Sequence, residues 1–358
     1  MNISEIDQNL KVETDINETD IVWLDVKKAP FAICGICYDG NLGRYTRMPQ
    51  GTAERVSPGV AELNFHTTGG RVRFRTNSSF IGIRAVMETN GLMPHITLAG
   101  QSGFDLYRRK DGEDREIFCH TFMPPMGMRT GYSSSFAADG QMADYTIHFP
   151  LYDGVKEFYI ALKKDAVLLE AESYQGTAPV VYYGSSITQG GCASRPGNSY
   201  QAMISRRMNQ DHINLGFSGN GKAEPVMRQY LAGLTMSAFV CDYDHNAPDA
   251  DHLQKTHLLL YREIRAVHPD IPYILISAPD ILRDPGTYKK RRDVICQSYQ
   301  TALEEGDSNV YFIDGAELFA GEDWDACTVD GTHPNDLGFF RMAQRIETEL
   351  RKAFAMQK

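Results

Sequence analysis

The pattern of hydrophobic and polar positions changes once along this chain, near residue 177. Before that point, short runs alternate between apolar and polar residues, as in Arg71–Arg75, and turn pairs such as Asp39-Gly40 separate them. Alternation with a period of two is typical of strands that bury one face. The predicted strands are Ile21–Val26, Phe31–Ile36, Val60–Phe65, Arg71–Arg75, Phe80–Val86, Glu116–Phe122, Asp144–Phe149 and Glu157–Leu162. Regularly spaced strands with little helical pattern predict an all-β sandwich, jelly-roll-like in form.

After residue 177, short apolar runs alternate with amphipathic stretches. The runs are Val180–Tyr183, His212–Leu215, Ala238–Cys241, Tyr273–Ser277 and Val310–Ile313. The residues with helical spacing are Tyr200, Met203, Ile204 and Met208, then Leu253, His257, Leu260, Tyr261 and Ile264, and last Phe339, Met342, Ala343, Ile346 and Leu350. Alternating strands and helices predict a doubly wound α/β layer with a parallel sheet.

The length of 358 residues accommodates two such units. We predict an N-terminal segment over residues 1–20, a β-sandwich domain over 21–174 and an α/β domain over 175–358. Whether the chain is a monomer or a homo-oligomer stays open.

Charge and composition argue against two classes of partner and favour one cellular location. The formal net charge is −10 and no basic stripe is present, which argues against a nucleic-acid partner. No apolar stretch approaches a membrane span, and the polar N-terminus lacks a secretory signal, so we expect no membrane partner. The seven cysteines are odd in number and scattered, which favours a cytoplasmic location. Cys34 and Cys37 form one CxxC, which we interpret as two buried structural thiols.

Four polar segments follow predicted strands of the second half, namely Gly184–Thr188, Gly216–Gly221, Asp242–Asn246 and Asp330–Pro334. Ligands of open parallel sheets bind beyond the carboxyl ends of the strands, so these segments are expected to converge. They supply a serine, an aspartate and a histidine in that order. A serine hydroxyl needs a base, and the base needs an orienting group, to act as a nucleophile. The sequence therefore predicts a serine hydrolase, with Ser185 and Ser186 both available at the first segment.

These motifs resemble those of the SGNH (GDSL-type) hydrolases. GSSIT is similar to the G-D-S-[LI] block, NLGFSGNG to the second block, DYDHN to the third and DGTHP to the D-x-x-H-P block; GFDLY at residues 103–107 resembles the GxDLY motif of a β-domain that precedes one subfamily. The resemblance implies that Ser186 is the nucleophile, with His333 as its base and Asp330 as the orienting acid. It also implies an oxyanion hole formed by Ser186, Gly219 and Asn246.

The chain departs from the family pattern at two positions. Ser185 stands where the family usually has an aspartate. His245, directly before Asn246, has no firm role in the family pattern, and substrate binding is its candidate function. The dense Asp/His run from Asp242 to His252 raises the alternative of a metal site, but the further ligands of a two-metal phosphoesterase are not found. We therefore expect neither a metal nor an organic cofactor.

The resulting hypothesis is an esterase that hydrolyses a small acyl ester through an acyl-serine intermediate. By resemblance to sandwich-containing carbohydrate esterases, the substrate is a small-molecule or glycan ester, with acetyl as the candidate acyl group. Two alternatives remain: an acyltransferase with the same triad, and a catalytically inactive glycan-binding protein.

Overall fold

Two antiparallel sheets make up most of the first half of the computed structural model, which describes residues 16–89 and 91–356. The strands are β1 (Ile21–Asp25), β2 (Ala32–Cys34), β3 (Cys37–Asp39), β4 (Arg44–Thr46), β5 (Arg71–Thr76), β6 (Phe80–Glu88), β7 (Phe104–Arg109), β8 (Ile117–Phe122), β9 (Gly131–Ala137), β10 (Ala143–His148), β11 (Gly154–Lys163) and β12 (Leu168–Leu169). One sheet has the order β1-β11-β6-β9 and the other β12-β5-β10-β7-β8, with β2 also paired to β5. Strands β3 and β4 form a separate hairpin. Of the predicted segment 1–20, residues 1–15 lie outside the described residues.

Apolar side chains of both sheets form one core between them. In the register of β5 and β10, Val72 lies opposite Ile147 and Phe74 opposite Tyr145, and all four are buried. Strand β6 adds alternate buried residues, because successive side chains point to opposite faces of a strand. The predicted β-sandwich is confirmed.

One predicted strand of the first half is wrong. Val60–Phe65 was expected to be extended, but the chain forms two helices here, α1 (Gln50–Val56) and α2 (Pro58–Leu63). The Ser57 hydroxyl accepts the Val60 N–H at 3.1 Å, and Pro58 occupies the first turn, where a proline is tolerated. A third short helix, α3 (Leu98–Ser102), precedes β7. The expectation that Cys34 and Cys37 are both buried is wrong, because Cys37 is exposed and Cys34 is only partly buried.

The second half is a five-stranded parallel sheet with helices on both faces. Its strands are β13 (Val180–Gly184), β14 (His212–Gly216), β15 (Ala238–Asp242), β16 (Tyr273–Ile276) and β17 (Val310–Ile313). Its helices are α4 (Ser186–Gln189), α5 (Tyr200–Met208), α6 (Pro225–Ala232), α7 (Ala250–Val267), α8 (Pro285–Glu304), α9 (Gly315–Leu318) and α10 (Asp336–Met356). The spatial order β14-β13-β15-β16-β17 reverses direction between β13 and β15, and crevices for ligands form at such a point.

Successive residues of the central strands contribute to separate cores on the two faces of this sheet. Val181 and Tyr183 pack on one face, and Val180 and Tyr182 on the other. The predicted apolar faces of α5, α7 and α10 supply the facing side chains, with Met208 only partly buried. The predicted doubly wound α/β layer is confirmed. No helix among the described residues combines the length and apolarity needed to cross a bilayer.

The two halves meet along an extensive polar contact. Asp105, in the GFDLY segment on β7, is fully buried, and its Oδ2 accepts from the Arg195 guanidinium at 2.8 Å and from the Gly197 N–H at 2.8 Å. Arg47 donates to the Gly216 carbonyl at 2.5 Å. The β-sandwich therefore holds the segment that follows α4. The boundary between residues 174 and 175 stays a prediction, since Val60 of α2 packs in a core of the second half.

Candidate active site

Ser186 is the first residue of α4, directly beyond the carboxyl end of β13. The preceding Ser185 is fully buried, and its hydroxyl caps the helix by accepting the Ile187 N–H at 3.2 Å. Ser185 therefore has a structural contact, whereas the Ser186 side chain is partly exposed. Because β13 lies at the point where strand order reverses, Ser186 stands at the edge where a ligand crevice is expected.

The side chains of Ser186, His333 and Asp330 form a continuous hydrogen-bonded chain. Ser186 Oγ lies 2.9 Å from His333 Nε2, and His333 Nδ1 lies 2.7 Å from Asp330 Oδ2. Residues 330–333 belong to a tight turn between a 3₁₀ turn at Trp324–Cys327 and α10, well beyond the end of β17. The predicted convergence brings these three residues together, although the last segment does not directly follow a strand.

The Asp330 carboxylate is held in its charged form. Burial alone would raise the pKa of this group, but hydrogen bonds from the His333 backbone N–H, the His333 ring and the Thr332 N–H lower it to about 2. The two backbone N–H groups donate to Oδ1 at 2.8 and 3.0 Å, which leaves Oδ2 for the ring. A carboxylate at this position orients the imidazole and stabilises its protonated form.

Three hydrogen-bond donors around Ser186 have no acceptor in the part of the chain that the structure describes. They are the Ser186 N–H, the Gly219 N–H and the Asn246 side-chain amide. Asn246 Oδ1 accepts the Gly221 N–H at 3.2 Å, which leaves the amide nitrogen of Asn246 available as a donor. Gly219 has a φ of +69°, a conformation that favours glycine. Such unpaired donors are suited to a developing negative charge.

The geometry around His245 does not support the expected contact with a substrate. The side chain is only 5% exposed, and its Nε2 makes an ion pair with Asp280. Burial lowers the pKa of His245, but Asp280 and other nearby carboxylates outweigh this and raise it. The buried pair holds the turn next to Asn246 instead of presenting the ring to the crevice.

Structural contacts hold several side chains of the Asp/His run from residue 242 to 252. Asp244 is buried and accepts from Arg291 Nε at 2.8 Å and from the Ala278 N–H at 2.9 Å. Asp249 caps α7 by accepting the His252 N–H at 2.7 Å. These contacts give Asp244 and Asp249 structural roles.

Asp242, at the end of β15, is fully buried beside α4. Its Oδ2 accepts from the Thr188 hydroxyl at 3.1 Å, and its Oδ1 has no partner among the described residues. Burial raises its pKa from 3.8 to about 7, although His245 opposes the shift. The carboxyl therefore changes charge near neutral pH, directly beneath the nucleophile's helix.

This shift predicts a pH-dependent cost to stability. Between about pH 4 and pH 7 the folded Asp242 holds a proton that the unfolded chain releases, so stability falls as the pH rises across that range and stays lower above it. We expect Asp242→Asn, which cannot ionise, to raise the melting temperature relative to wild type more at pH 8 than at pH 5. Thermal unfolding at both values measures this, and an equal difference at pH 5 and pH 8 would contradict it.

The first half supplies two groups to this edge that sequence reasoning missed. The His95 ring lies 5.7 Å from the His333 ring, measured between centroids. The Tyr152 hydroxyl lies 3.4 Å from the Ser186 carbonyl oxygen and 3.1 Å from Ser218 Oγ. No motif marks either residue in the sequence; only the docking of the two halves brings them here.

Within the described residues, one group of side chains has the composition of a metal site: His95, Cys192 and His333, whose ligand atoms lie within 4.8 Å of one another. The members come from the first half, the segment after α4 and the turn of residue 333. A site that shares His333 with the serine can serve proton transfer or metal binding, but not both at once.

Family models match both halves of the chain. Residues 177–351 match the GDSL-like lipase/acylhydrolase family, and residues 21–168 match the GxDLY model, which describes the N-terminus of SGNH-hydrolase-type esterases. A sequence comparison with curated proteins finds no significant match.

Several solved structures share the architecture over nearly the whole chain. A GDSL-like lipase candidate from Bacteroides ovatus ATCC 8483 has a TM-score of 0.83 at 28% identity, over 94% of this chain and 98% of that chain. The salicylyl-acyltransferase SsfX3 from a tetracycline biosynthetic pathway has a TM-score of 0.72 at 19% identity, over 94% and 98%. The acetyl xylan esterase Est2A from the rumen bacterium Butyrivibrio proteoclasticus has a TM-score of 0.59 at 12% identity, over 94% and 99%. Both family models and the shared two-part architecture lead to one conclusion: the chain belongs to the GDSL-like lipase/acylhydrolase family of SGNH hydrolases, in the form that carries a GxDLY β-domain, and it is an esterase or acylhydrolase.

Proposed function

We propose that this protein is a serine esterase that removes a small acyl group, acetyl in the first instance, from a carbohydrate ester. The observation that carries the proposal is the chain of contacts from Ser186 Oγ to His333 Nε2 at 2.9 Å and from His333 Nδ1 to Asp330 Oδ2 at 2.7 Å. Both distances lie within hydrogen-bond range, so a proton can pass from the hydroxyl to the imidazole without rearrangement.

In the acylation step, Ser186 Oγ attacks the ester carbonyl carbon while His333 Nε2 takes the hydroxyl proton. Asp330 holds Nδ1–H, which fixes the tautomer and stabilises the imidazolium. The carbonyl oxygen becomes an oxyanion and accepts from the Ser186 N–H, the Gly219 N–H and the Asn246 amide.

Collapse of this intermediate breaks the bond to the alcohol oxygen, and His333 returns its proton to the departing alcohol. Water then attacks the acyl-serine, with His333 again accepting a proton, and the free acid leaves with Ser186 restored. No step calls for a metal or organic cofactor.

Loss of the Asn246 amide tests the oxyanion role. We expect Asn246→Ala to lower kcat by about 10²- to 10³-fold with little change in KM, because the donor acts mainly on charge that develops in the transition state. Steady-state kinetics on p-nitrophenyl acetate separate the two parameters. His252→Ala in the same run is the matched control and should retain activity; a change in KM alone for Asn246→Ala would argue against the oxyanion role.

The surroundings of the triad support a short acyl group on a polar alcohol. The Asp330 and His333 side chains are 38% and 24% exposed, so the reacting groups lie near solvent. The nearby groups are largely polar, including the Tyr152 hydroxyl, the His95 ring and the Asn246 amide. The acetyl xylan esterase Est2A shares this fold, which supports an acetylated sugar as the first substrate to test.

The test compares acetylated saccharides with p-nitrophenyl esters of increasing chain length. We expect release of free acetate from the saccharides and a fall in turnover as the acyl chain lengthens. Adding an acceptor alcohol distinguishes the alternatives: acyl transfer that outpaces release of free acid would favour the acyltransferase. Saccharide binding without turnover of any ester would favour the inactive glycan-binding protein.

A further inference from the structure

The His95–Cys192–His333 cluster joins the β-sandwich to the reacting edge of the hydrolase half. Its three ligand atoms lie within 4.8 Å of one another, and the two imidazole rings are 5.7 Å apart between centroids at an angle of 45°. His95 is exposed, Cys192 is buried and His333 is partly exposed. A metal ion can therefore reach the cluster from the solvent side through His95.

Hydrogen bonds and apolar packing hold the three segments against one another. The Cys192 N–H donates to the Pro334 carbonyl at 2.9 Å, which fastens Cys192 to the residue after His333. The Thr97 hydroxyl donates to the Ser194 carbonyl at 2.5 Å, and Ile96 packs in the same apolar core as Cys192. These contacts hold the backbone close to each of the three ligands, so short side-chain movements suffice to close the site.

The chemistry of the set selects a borderline metal. Two imidazoles and one thiolate suit Zn²⁺, with bond lengths of about 2.0–2.3 Å, whereas Mg²⁺ and Ca²⁺ prefer oxygen ligands. His333 Nδ1 is held by Asp330, so Nε2 is the ring nitrogen left for a metal. A carboxylate on the opposite nitrogen of a metal-bound histidine orients the ring and raises its basicity, and Asp330 already occupies that place.

We propose that His95, Cys192 and His333 form an inhibitory Zn²⁺ site that blocks hydrolysis when it is filled. Zn²⁺ bonds to the three side chains, and the Cys192 thiol loses its proton to solvent. His333 Nε2 then donates its lone pair to the metal, so it cannot accept the Ser186 proton. The inhibition rests on the proposed base role of His333, whereas the binding of the metal does not.

Cysteine binds Zn²⁺ as the thiolate, so the Cys192 thiol must give up its proton when the metal binds. Binding therefore releases one proton at neutral pH, and a rise in pH should tighten Zn²⁺ binding.

The first experiment measures binding and needs no activity. Co²⁺ and Zn²⁺ are titrated into the full chain, with calorimetry for stoichiometry and absorption spectroscopy for the thiolate-to-Co²⁺ charge-transfer band. We expect one site per chain, with the band present in the wild type. Cys192→Ser should remove the band, and His95→Ala should weaken binding about tenfold or more. Cys37→Ser, which removes an exposed thiol on β3, is the matched control and should leave both unchanged.

The second experiment measures turnover of p-nitrophenyl acetate against Zn²⁺ concentration, with each variant compared to its own metal-free rate. Wild type and Cys37→Ser should be inhibited by Zn²⁺ and restored by a chelator, whereas Mg²⁺ should have no effect. His95→Ala and Cys192→Ser should need about ten times more Zn²⁺ for half-inhibition.

Equal Zn²⁺ sensitivity of wild type, His95→Ala and Cys192→Ser would overturn the site, as would a missing charge-transfer band in the wild type. Zn²⁺ bound through Cys192 with turnover unaffected would overturn the inhibitory role. If no ester is turned over at all, the esterase proposal fails, while the spectrum still decides whether the metal site exists.

Discussion

Replacing Ser186 with alanine should reduce turnover of p-nitrophenyl acetate by about 10⁴-fold or more. The hydroxyl is the group that we assign to form the covalent bond, and its Oγ lies 2.9 Å from the base. Without it, His333 and the oxyanion donors can at best assist a water molecule, which accounts for a small residual rate. Substrate binding should change little, so the loss should appear in kcat.

The neighbouring serine provides the matched control for this prediction. Ser185 is buried and caps α4 through the Ile187 N–H, so Ser185→Ala should cost about 1 kcal/mol of stability and keep most of the activity. Melting temperature and initial rate, measured on both variants, separate the two roles. Full activity in Ser186→Ala together with loss in Ser185→Ala would reverse the assignment.

Asp330→Asn should lower kcat by about 10³- to 10⁴-fold without unfolding the turn. The asparagine oxygen can still accept the Thr332 and His333 N–H groups, which Asp330 Oδ1 holds at 3.0 and 2.8 Å. Its amide nitrogen, however, would donate to His333 Nδ1 and force the ring proton onto Nε2. That tautomer cannot take a proton from Ser186.

The pH dependence of this carboxylate follows from its pKa of about 2. Because the folded pKa lies below the ordinary value of 3.8, Asp330 contributes stability above pH 4 and loses it as the pH falls towards 2. Asp330 therefore stays charged above about pH 4, and its protonation should not limit activity there.

Asp325→Asn, an exposed change in the preceding 3₁₀ turn, is the control for Asp330→Asn and should leave kcat unaltered. A similar loss of kcat in both variants would indicate that the whole segment is disturbed.

Much of the fold follows from hydrophobic spacing, because each strand and helix buries a regular face. The apolar runs at β13 and β15 are buried on both sides, as their continuous hydrophobicity predicts. The failure at Val60–Phe65 has a local cause. The segment is short and apolar, so its spacing fits a strand, but Ser57 and Pro58 before it are helix-start signals that outweigh the spacing.

Some residues of the candidate site could likewise be located from the sequence, and others could not. Ser186, Gly219 and Asn246 could be located from sequence because each lies shortly after a parallel strand, and the turn of Asp330 and His333 carries its own motif. His95 and Tyr152 could not, since they come from the other half and carry no local pattern. His245 was misinterpreted because its partner, Asp280, lies 35 residues away and only the fold pairs them.

Labelling with a fluorophosphonate, followed by peptide mass spectrometry, shows whether Ser186 forms the covalent acyl intermediate. The probe bonds to an activated serine and stays there, so the modified residue can be read from the peptide fragments. We expect a single adduct on Ser186 in the wild type, none in Ser186→Ala and much slower labelling in Asp330→Asn. An adduct on Ser185 or Ser218 instead, or an active enzyme that is never labelled, would contradict it.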